Sequence, residues 1–206
     1  MKLRIYKILK NTKVEGPGNR FCIWVQGCNI HCDGCMNIET WDFNSGKLID
    51  INAIYEEIKK TKGIEGITIL GGEPFCQAKA LSCLCKMIKE NMNLSILSFT
   101  GYDYEYILKC NNKEWNEYLK YIDLLIDGPF IREKKDFSRP WIGSSNQKYR
   151  FLTKRYYYLK NNLENIKNKV EVRISEEGSI FINGMGDLEN IKNSIIEGGN
   201  LKKWRI

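Results

Sequence analysis

Three cysteines, Cys28, Cys32 and Cys35, stand close together in the segment GCNIHCDGC with the spacing C-x3-C-x2-C. Iron–sulfur cubanes are held by thiolates, normally four. Three local thiolates leave one iron without a protein ligand, and an open iron can chelate the amino and carboxylate groups of a small molecule. The same residues allow a second reading. Cys32-Asp33-Gly34-Cys35 is half of a zinc site, which Cys22, Cys76 or the single histidine, His31, could complete. Zinc sites usually pair two such knuckles, and there is no second C-x2-C in the chain. A third reading makes all three structural cysteines. Spacing alone leaves the three side by side.

A second motif shifts the balance. Gly71-Gly72-Glu73-Pro74 follows the apolar run GITIL. Glycines after a strand let main chain approach a ligand closely, and a carboxylate there can accept charge-assisted hydrogen bonds from a ligand ammonium. By itself the tetrapeptide is a turn. At the end of a strand, downstream of the cysteines, it favours an open cluster with an amino-acid-like ligand.

The elements that must position these residues follow from periodicity. Arg20 to Gln26 (RFCIWVQ) predicts a buried strand that runs into the cysteine loop. Asp50 caps a helix to Lys60, with Ile51, Ile54, Tyr55 and Ile58 at helical spacing. Gly66 to Leu70 predicts a strand, and Gln77 to Glu90 a helix with Ala78, Leu81, Leu84, Cys85 and Ile88 inward. Leu94 to Phe99 and Ile122 to Ile126 predict two further strands, ending at Thr100-Gly101 and Asp127-Gly128-Pro129. Between them Tyr104 to Tyr121 holds one or two helices, broken near Asn111-Asn112. Alternating strands and helices imply α/β architecture on a mostly parallel sheet. Every candidate motif falls just after a strand, and in such folds sites gather at the carboxyl ends of strands. Four motifs are therefore expected to meet in one cleft. Pro129 to Lys148 reads as a long loop, a lid or a binding surface. The tail predicts strands VEVRI and SIFIN around Glu176-Glu177-Gly178, then a helix from Asp187 to Glu197.

Bulk properties exclude several classes. At 206 residues and 43% hydrophobic, the chain can bury a sizeable core. No stretch approaches the roughly 18 apolar residues a membrane helix needs, and the N-terminal segment lacks the features of a signal peptide, so no membrane association and a cytoplasmic location are expected. A net charge of +7 is spread among Asn, Ile and Glu without a basic face, so nucleic-acid binding is not expected. Eight cysteines in such a chain point to a reducing setting and to metal or catalysis more than to disulfides.

Through CNIHCDGC and GGEP the sequence resembles the radical S-adenosylmethionine (SAM) superfamily. More narrowly, it is similar to the activating proteins of anaerobic ribonucleotide reductases, within the glycyl-radical-enzyme activases. The segments that carry this are EGPGNRFCIWVQGCNIHCDGCMNIETWD, GGEP, FTGYDYE and IDLLIDGPFIREKKDFSRPWIGSSNQ, from about Val14 to Leu152. The resemblance implies an incomplete (βα) barrel, a partial TIM barrel, forming one radical SAM domain over residues 1–206, with 154–206 a C-terminal extension. It implies that Cys28, Cys32 and Cys35 bind one 4Fe-4S cluster and that Gly71, Gly72, Glu73 and Pro74 bind SAM, with Thr100 and Asp127 further contacts. Gly34 and Asn37 would flank cluster and SAM, and Arg139, Trp141 and Asn146 would touch a partner or form a lid. The implied reaction is reductive cleavage of SAM to methionine and a 5′-deoxyadenosyl radical, which takes a hydrogen atom from a glycine Cα of a class III ribonucleotide reductase. No catalytic side chain beyond cluster and SAM is implied, and a flavodoxin- or ferredoxin-type protein would donate the electron. Alternatives with the same chemistry act on another glycyl radical enzyme, a peptide or a small molecule; a different class is a non-catalytic zinc or iron–sulfur module.

Two departures stand out. Many superfamily members carry an aromatic residue before the third cysteine, where this chain has Gly34, as the narrower group tolerates. Before GSSNQ the family usually has arginine, here Ile142, so that role would pass to Arg139 or Arg150. Of the other cysteines, Cys22 is expected in the core, and Cys76, Cys83, Cys85 and Cys110 are expected as small buried hydrophobes more than as a second cluster. His31 is expected facing solvent or flanking SAM rather than as a ligand, and Trp41 and Trp141 by default in the core, otherwise walling the cleft.

Overall fold

The computed structural model describes residues 1–187, 190–191 and the backbone of 204–205. The chain begins with a long strand, β1 (Lys2–Thr12), followed by β2 (Arg20–Val25) and a short edge strand β3 (Lys47–Asp50). Then come α1 (Ile51–Lys60), β4 (Gly66–Gly71), α2 (Ala78–Asn91), β5 (Ser95–Phe99), α3 (Tyr104–Cys110), α4 (Lys113–Leu119), β6 (Leu124–Asp127) and β7 (Lys148–Phe151). These strands form one seven-stranded sheet in the order β3-β1-β2-β4-β5-β6-β7. Its central strands β2, β4, β5 and β6 run parallel, and β3, β1 and β7 add antiparallel margins. The chain is thus mixed α/β with a parallel centre. Residues β8 (Val170–Ile174), β9 (Ile180–Gly184) and β10 (Trp204–Arg205) make a separate three-stranded sheet. No helix among the described residues is long and apolar enough to cross a membrane.

The central strands are buried on both faces, as parallel strands must be. Side chains alternate between faces along each strand. Phe21, Ile23, Val25, Ile67, Ile69 and Ile96 face one core, which α1 closes with Ile51, Ile54 and Ile58 and α2 with Leu81, Leu84, Cys85 and Ile88. Cys22, Trp24 and Leu70 face the other way, against Phe181 of β9. Leu97, Leu124 and Ile126 pack on that side with Trp141, Ile142, Tyr156 and Leu159. Apolar burial of this kind stabilises by about 25 cal/mol per Å2, and both faces need cover, so the tail beyond residue 152 is part of the packing.

Local signals explain the helix ends. Asp50 accepts a hydrogen bond from Asn52 N at 2.9 Å and caps α1. Asn111, in the left-handed conformation at φ 46°, ends α3, and Asn112 caps α4 through Glu114 N. The strands over 66–70, 94–99 and 122–126 and the helix over 77–90 fall within about two residues of expectation, the usual spread of element ends. Strands β1, β3 and β7 were not expected. The predicted helix from Asp187 to Glu197 lies mostly outside the described residues.

Candidate active site

The cysteine loop begins where β2 ends. Gly27 N donates to Thr40 O and Cys28 N to Trp41 O, so the segment that leaves the sheet folds back on its own start. Each neighbouring strand end is fastened to this loop. From β4, Gly72 N donates to Val25 O and Glu73 N to Gly27 O, both at 2.8 Å. A side chain at Gly72 would drive its Cβ to 2.3 Å from Gly27 O, so only glycine allows GGEP to lie on the loop. From the end of β5, Gly101 packs on Ile30, and Tyr102 Oη accepts from Asn29 Nδ2 at 2.6 Å. From the end of β6, the Phe130 amide faces the Cys32 sulfur. The four motifs read from the sequence therefore meet at the carboxyl ends of the central parallel strands.

All three cysteines of the loop are free thiols. Cys28 is buried, and Cys32 and Cys35 are half-buried. Main-chain amides aim at their sulfurs: Ile30 and His31 at Cys28, Phe130 at Cys32, and Asn37 N at Cys35 Sγ, 3.4 Å away. Burial pushes the Cys28 and Cys32 thiols up, and these amides oppose it. Such donors suit sulfurs that carry negative charge, and hydrogen bonds to cluster sulfurs are one of the protein's means of setting its potential. Among the described residues, no three Cys, His, Asp or Glu side chains stand close enough to hold a single metal ion. A cubane asks for a different arrangement, because each thiolate takes its own iron. Three thiols with amides on every sulfur fit a 4Fe-4S cluster. Gly34, at φ 76°, gives the loop its last bend, and a Cβ there would strike Arg132 Nε at 2.8 Å.

Glu73 is 1% exposed, and its carboxylate faces the strand ends. Oε1 accepts from Phe75 N and Thr100 Oγ1 at 2.9 Å, and Oε2 from Gly101 N at 2.8 Å. The side chain thus ties β4 to β5 and caps the turn at Pro74, and is not held out as a lone carboxylate. Burial outweighs these donors and pushes the carboxyl up to about 7. A carboxyl that binds its proton more readily folded than unfolded contributes its stability below about pH 4.5 and loses it as pH rises toward 7. At about 1.4 kcal/mol per pH unit, that is about 3 kcal/mol. Glu73→Gln is expected to cost about 1–3 kcal/mol below pH 4.5, where Glu73 is neutral, because its amide turns a donor toward Gly101 N, and to cost less at neutral pH, where it also removes a buried charge. It should also flatten the fall in stability between pH 4.5 and 7, which urea denaturation of both proteins across that range measures.

The remaining candidates take other places. Asp127, 1% exposed, accepts from Arg150 Nε and Tyr104 N, both at 2.8 Å, so it holds β7 and α3 in place. Arg139 donates to the carbonyls of Ser144, Ser145 and Gln147, and Asn146 Nδ2 to Pro129 O. Both shape their own loop. Trp141, for which core packing is the default and a lid or partner contact the alternative, is 6% exposed and packed with Leu97, Leu124 and Ile126. Ile142 is fully buried beside it, so this fold has no room there for arginine. His31 is exposed and stacks on Trp41 at 4.5 Å. Cys22 and Cys85 are core, Cys110 ends α3, and exposed Cys76 bonds Asn29 Oδ1 at 3.2 Å near Cys28. Phe130 and Asn29 were missed as loop partners, since nothing in their types marks them.

A family model described as a 4Fe-4S single cluster domain matches residues 14–150. The anaerobic ribonucleoside-triphosphate reductase-activating protein of Haemophilus influenzae is 34% identical over 141 residues, covering 65% of this chain and 88% of that protein. Those of Enterobacteria phage T4 and Escherichia coli K12 are 33% and 32% identical, covering 66% and 65% of this chain and 85% and 89% of theirs. Among solved structures, QueE from Escherichia coli aligns with a TM-score of 0.43 at 19% identity, over 49% of this chain and 53% of that one.

Proposed function

Since the chain belongs to the family of anaerobic ribonucleoside-triphosphate reductase-activating proteins, we propose that it is a radical SAM activase that installs a glycyl radical on a class III ribonucleotide reductase. The observation that carries this is the loop of three free thiols, each faced by main-chain amides, with GGEP fastened to its first residues. Cys28, Cys32 and Cys35 would hold the 4Fe-4S cluster, which supplies the electron that splits SAM into methionine and a 5′-deoxyadenosyl radical. The chain's own residues do the rest. The amides stabilise anionic sulfur, and the Glu73–Thr100–Gly101 network fixes the strand ends against which SAM would lie. Gly34 and Asn37 border cluster and ligand.

On this reading the seven-stranded sheet is the incomplete barrel of a single radical SAM domain, with 154–206 as its extension. The protein works in the cytoplasm, with a flavodoxin- or ferredoxin-type donor. The test is anaerobic: iron and sulfide are reconstituted, then SAM, a reductant and the cognate reductase are added. Formation of 5′-deoxyadenosine together with a glycyl doublet in the reductase's EPR spectrum is expected. SAM cleavage with no doublet would move the target to another molecule, and no cleavage by a fully loaded cluster would end the proposal.

A further inference from the structure

The segment after β6 reads in sequence as a lid or a binding surface, but its own hydrogen bonds make it a fixed brace. Gln147 donates from Nε2 to Gly128 O at 3.2 Å, and its Oε1 accepts from Gly143 N at 3.0 Å and Ser144 N at 3.2 Å. Ile131 N donates to Ser144 Oγ, Asp136 N to Gly143 O and Ser145 N to Lys134 O. Asn146 and Arg139 tie further carbonyls of the same segment. A segment tied at its ends and across its middle holds what it carries in one place.

What it carries toward the cysteines is Phe130, whose half-buried ring lies between two glycines. A Cβ on Gly34 would stand 3.2 Å from Phe130 Cε1, and one on Gly143 would stand 3.1 Å from Phe130 Cδ2. The ring sits this close to both loops because neither glycine has a side chain. The Phe130 amide, meanwhile, faces the Cys32 sulfur. One residue thus meets the C-x2-C half of the cysteine loop twice, by its amide at Cys32 and by its ring at Gly34. Arg132 Nε also reaches Asp33 Oδ2 at 3.3 Å, but both side chains are exposed, and an exposed ion pair contributes little. The ring does more to hold the turn than the ion pair does. Gly34, Cys35, Phe130 and Gly143 line one cavity of about 370 Å3, so removing the ring would widen the approach of water to the cysteines.

We propose that Phe130 is a positioning residue for the cluster: its ring, clasped between Gly34 and Gly143, holds the turn from Cys32 to Cys35 in the conformation that keeps iron bound and screens it from water. Phe130 touches no iron and carries no electron; it acts through the two cysteines. The proposal rests on the 4Fe-4S reading above. Residues that orient metal ligands from behind typically change metal affinity or activity by about 10–100-fold when removed. Phe130 does so from another strand end, which is why the spacing of the cysteines gives no sign of it.

The test follows cluster retention. Wild-type protein and variants are reconstituted anaerobically and challenged with excess iron chelator in the absence of SAM, while visible absorbance is recorded. Phe130→Ala is expected to shorten the cluster's half-life about tenfold and to alter the EPR spectrum of the reduced cluster. Its thermal melt before reconstitution should stay near that of the wild type, because the hydrogen bonds of the brace remain. Phe130→Tyr keeps the ring and should restore half-life and spectrum. Gly143→Ala disturbs the ring from its other side: Gly143 is not left-handed, and the added Cβ must displace the ring by a few tenths of an ångström. It should shorten the half-life when Phe130 is present and add nothing to Phe130→Ala. A wild-type half-life in Phe130→Ala or in Gly143→Ala would overturn the proposal. So would a Gly143→Ala loss of equal size with and without the ring, or Phe130→Tyr behaving as Phe130→Ala. Wild-type protein that takes up no iron and sulfide would instead refute the 4Fe-4S reading, and the role of Phe130 with it.

Discussion

Cys32→Ala is expected to leave a folded protein that retains no 4Fe-4S cluster and forms no 5′-deoxyadenosine. Cys32 is half-buried on a loop and no part of either sheet core, so removing its thiol should cost little stability. The cluster is another matter. A cubane with one open iron already stands one thiolate short of the usual four, and the variant would leave only Cys28 and Cys35 in the loop. Cys28→Ala and Cys35→Ala should behave alike. Two other cysteines give the contrast. Cys22 is fully buried in the sheet, so Cys22→Ala should lose stability and keep its iron. Cys76 lies near Cys28 but bonds Asn29, so Cys76→Ser should keep cluster and turnover. Iron and sulfide content, visible absorbance and SAM cleavage after anaerobic reconstitution check all five. Full cluster in Cys32→Ala, or its loss in Cys76→Ser, would change the ligand set.

The same contrast shows what a sequence makes legible. Spacing within one loop is local, so the three cysteines could be singled out from the chain alone. Strands β2, β4, β5 and β6 could be read because central parallel strands are runs of β-branched and aromatic residues. The long first strand was missed because its pairing with β2 shifts register twice, after Ile5 and after Leu9, which breaks the alternation that announces a strand. The short margins β3 and β7, four residues each, carry too little pattern to register. The side-chain network was out of reach for a different reason. Glu73 finds Thr100, Asp127 finds Arg150 and Glu15 finds Asn183 only because strand order and the returning tail bring them together. Glu73 reads in sequence as a carboxylate offered to a ligand. Folded, it also accepts from its own strand ends, at Phe75 N, Thr100 Oγ1 and Gly101 N.

The residue whose weight is hardest to see in the sequence is Arg20, which stands in the apolar strand RFCIWV and is fully buried. Its guanidinium donates to Thr68 Oγ1 at 3.0 Å, Ser95 Oγ at 2.6 Å and Tyr156 Oη at 2.9 Å, and to the carbonyls of Pro17 and Ile67. One side chain thus joins β2, β4, β5, the loop before β2 and the tail. A buried cation is costly by several kcal/mol unless fully bonded; here five acceptors surround it, and Tyr156 Oη passes on a hydrogen bond to Glu65 at 2.8 Å. Hydrogen bonds to a charged group are worth about 1.5–3 kcal/mol each, so the set outweighs the desolvation. Arg20→Ala removes the donors, strands the acceptors and opens a cavity, and is expected to cost about 4 kcal/mol, a large share of the 5–15 kcal/mol typical of a domain. Arg20→Lys should recover less than half, since an ammonium offers three donors on a flexible stem and not five in a planar fork. Guanidinium denaturation of the apo protein measures both. Tyr156 belongs to the tail and Arg20 to the segment before the cysteines, so the loss should reach cluster assembly as well. Arg20→Lys that unfolds at the wild-type midpoint would show that charge alone, without the fork, holds these elements together.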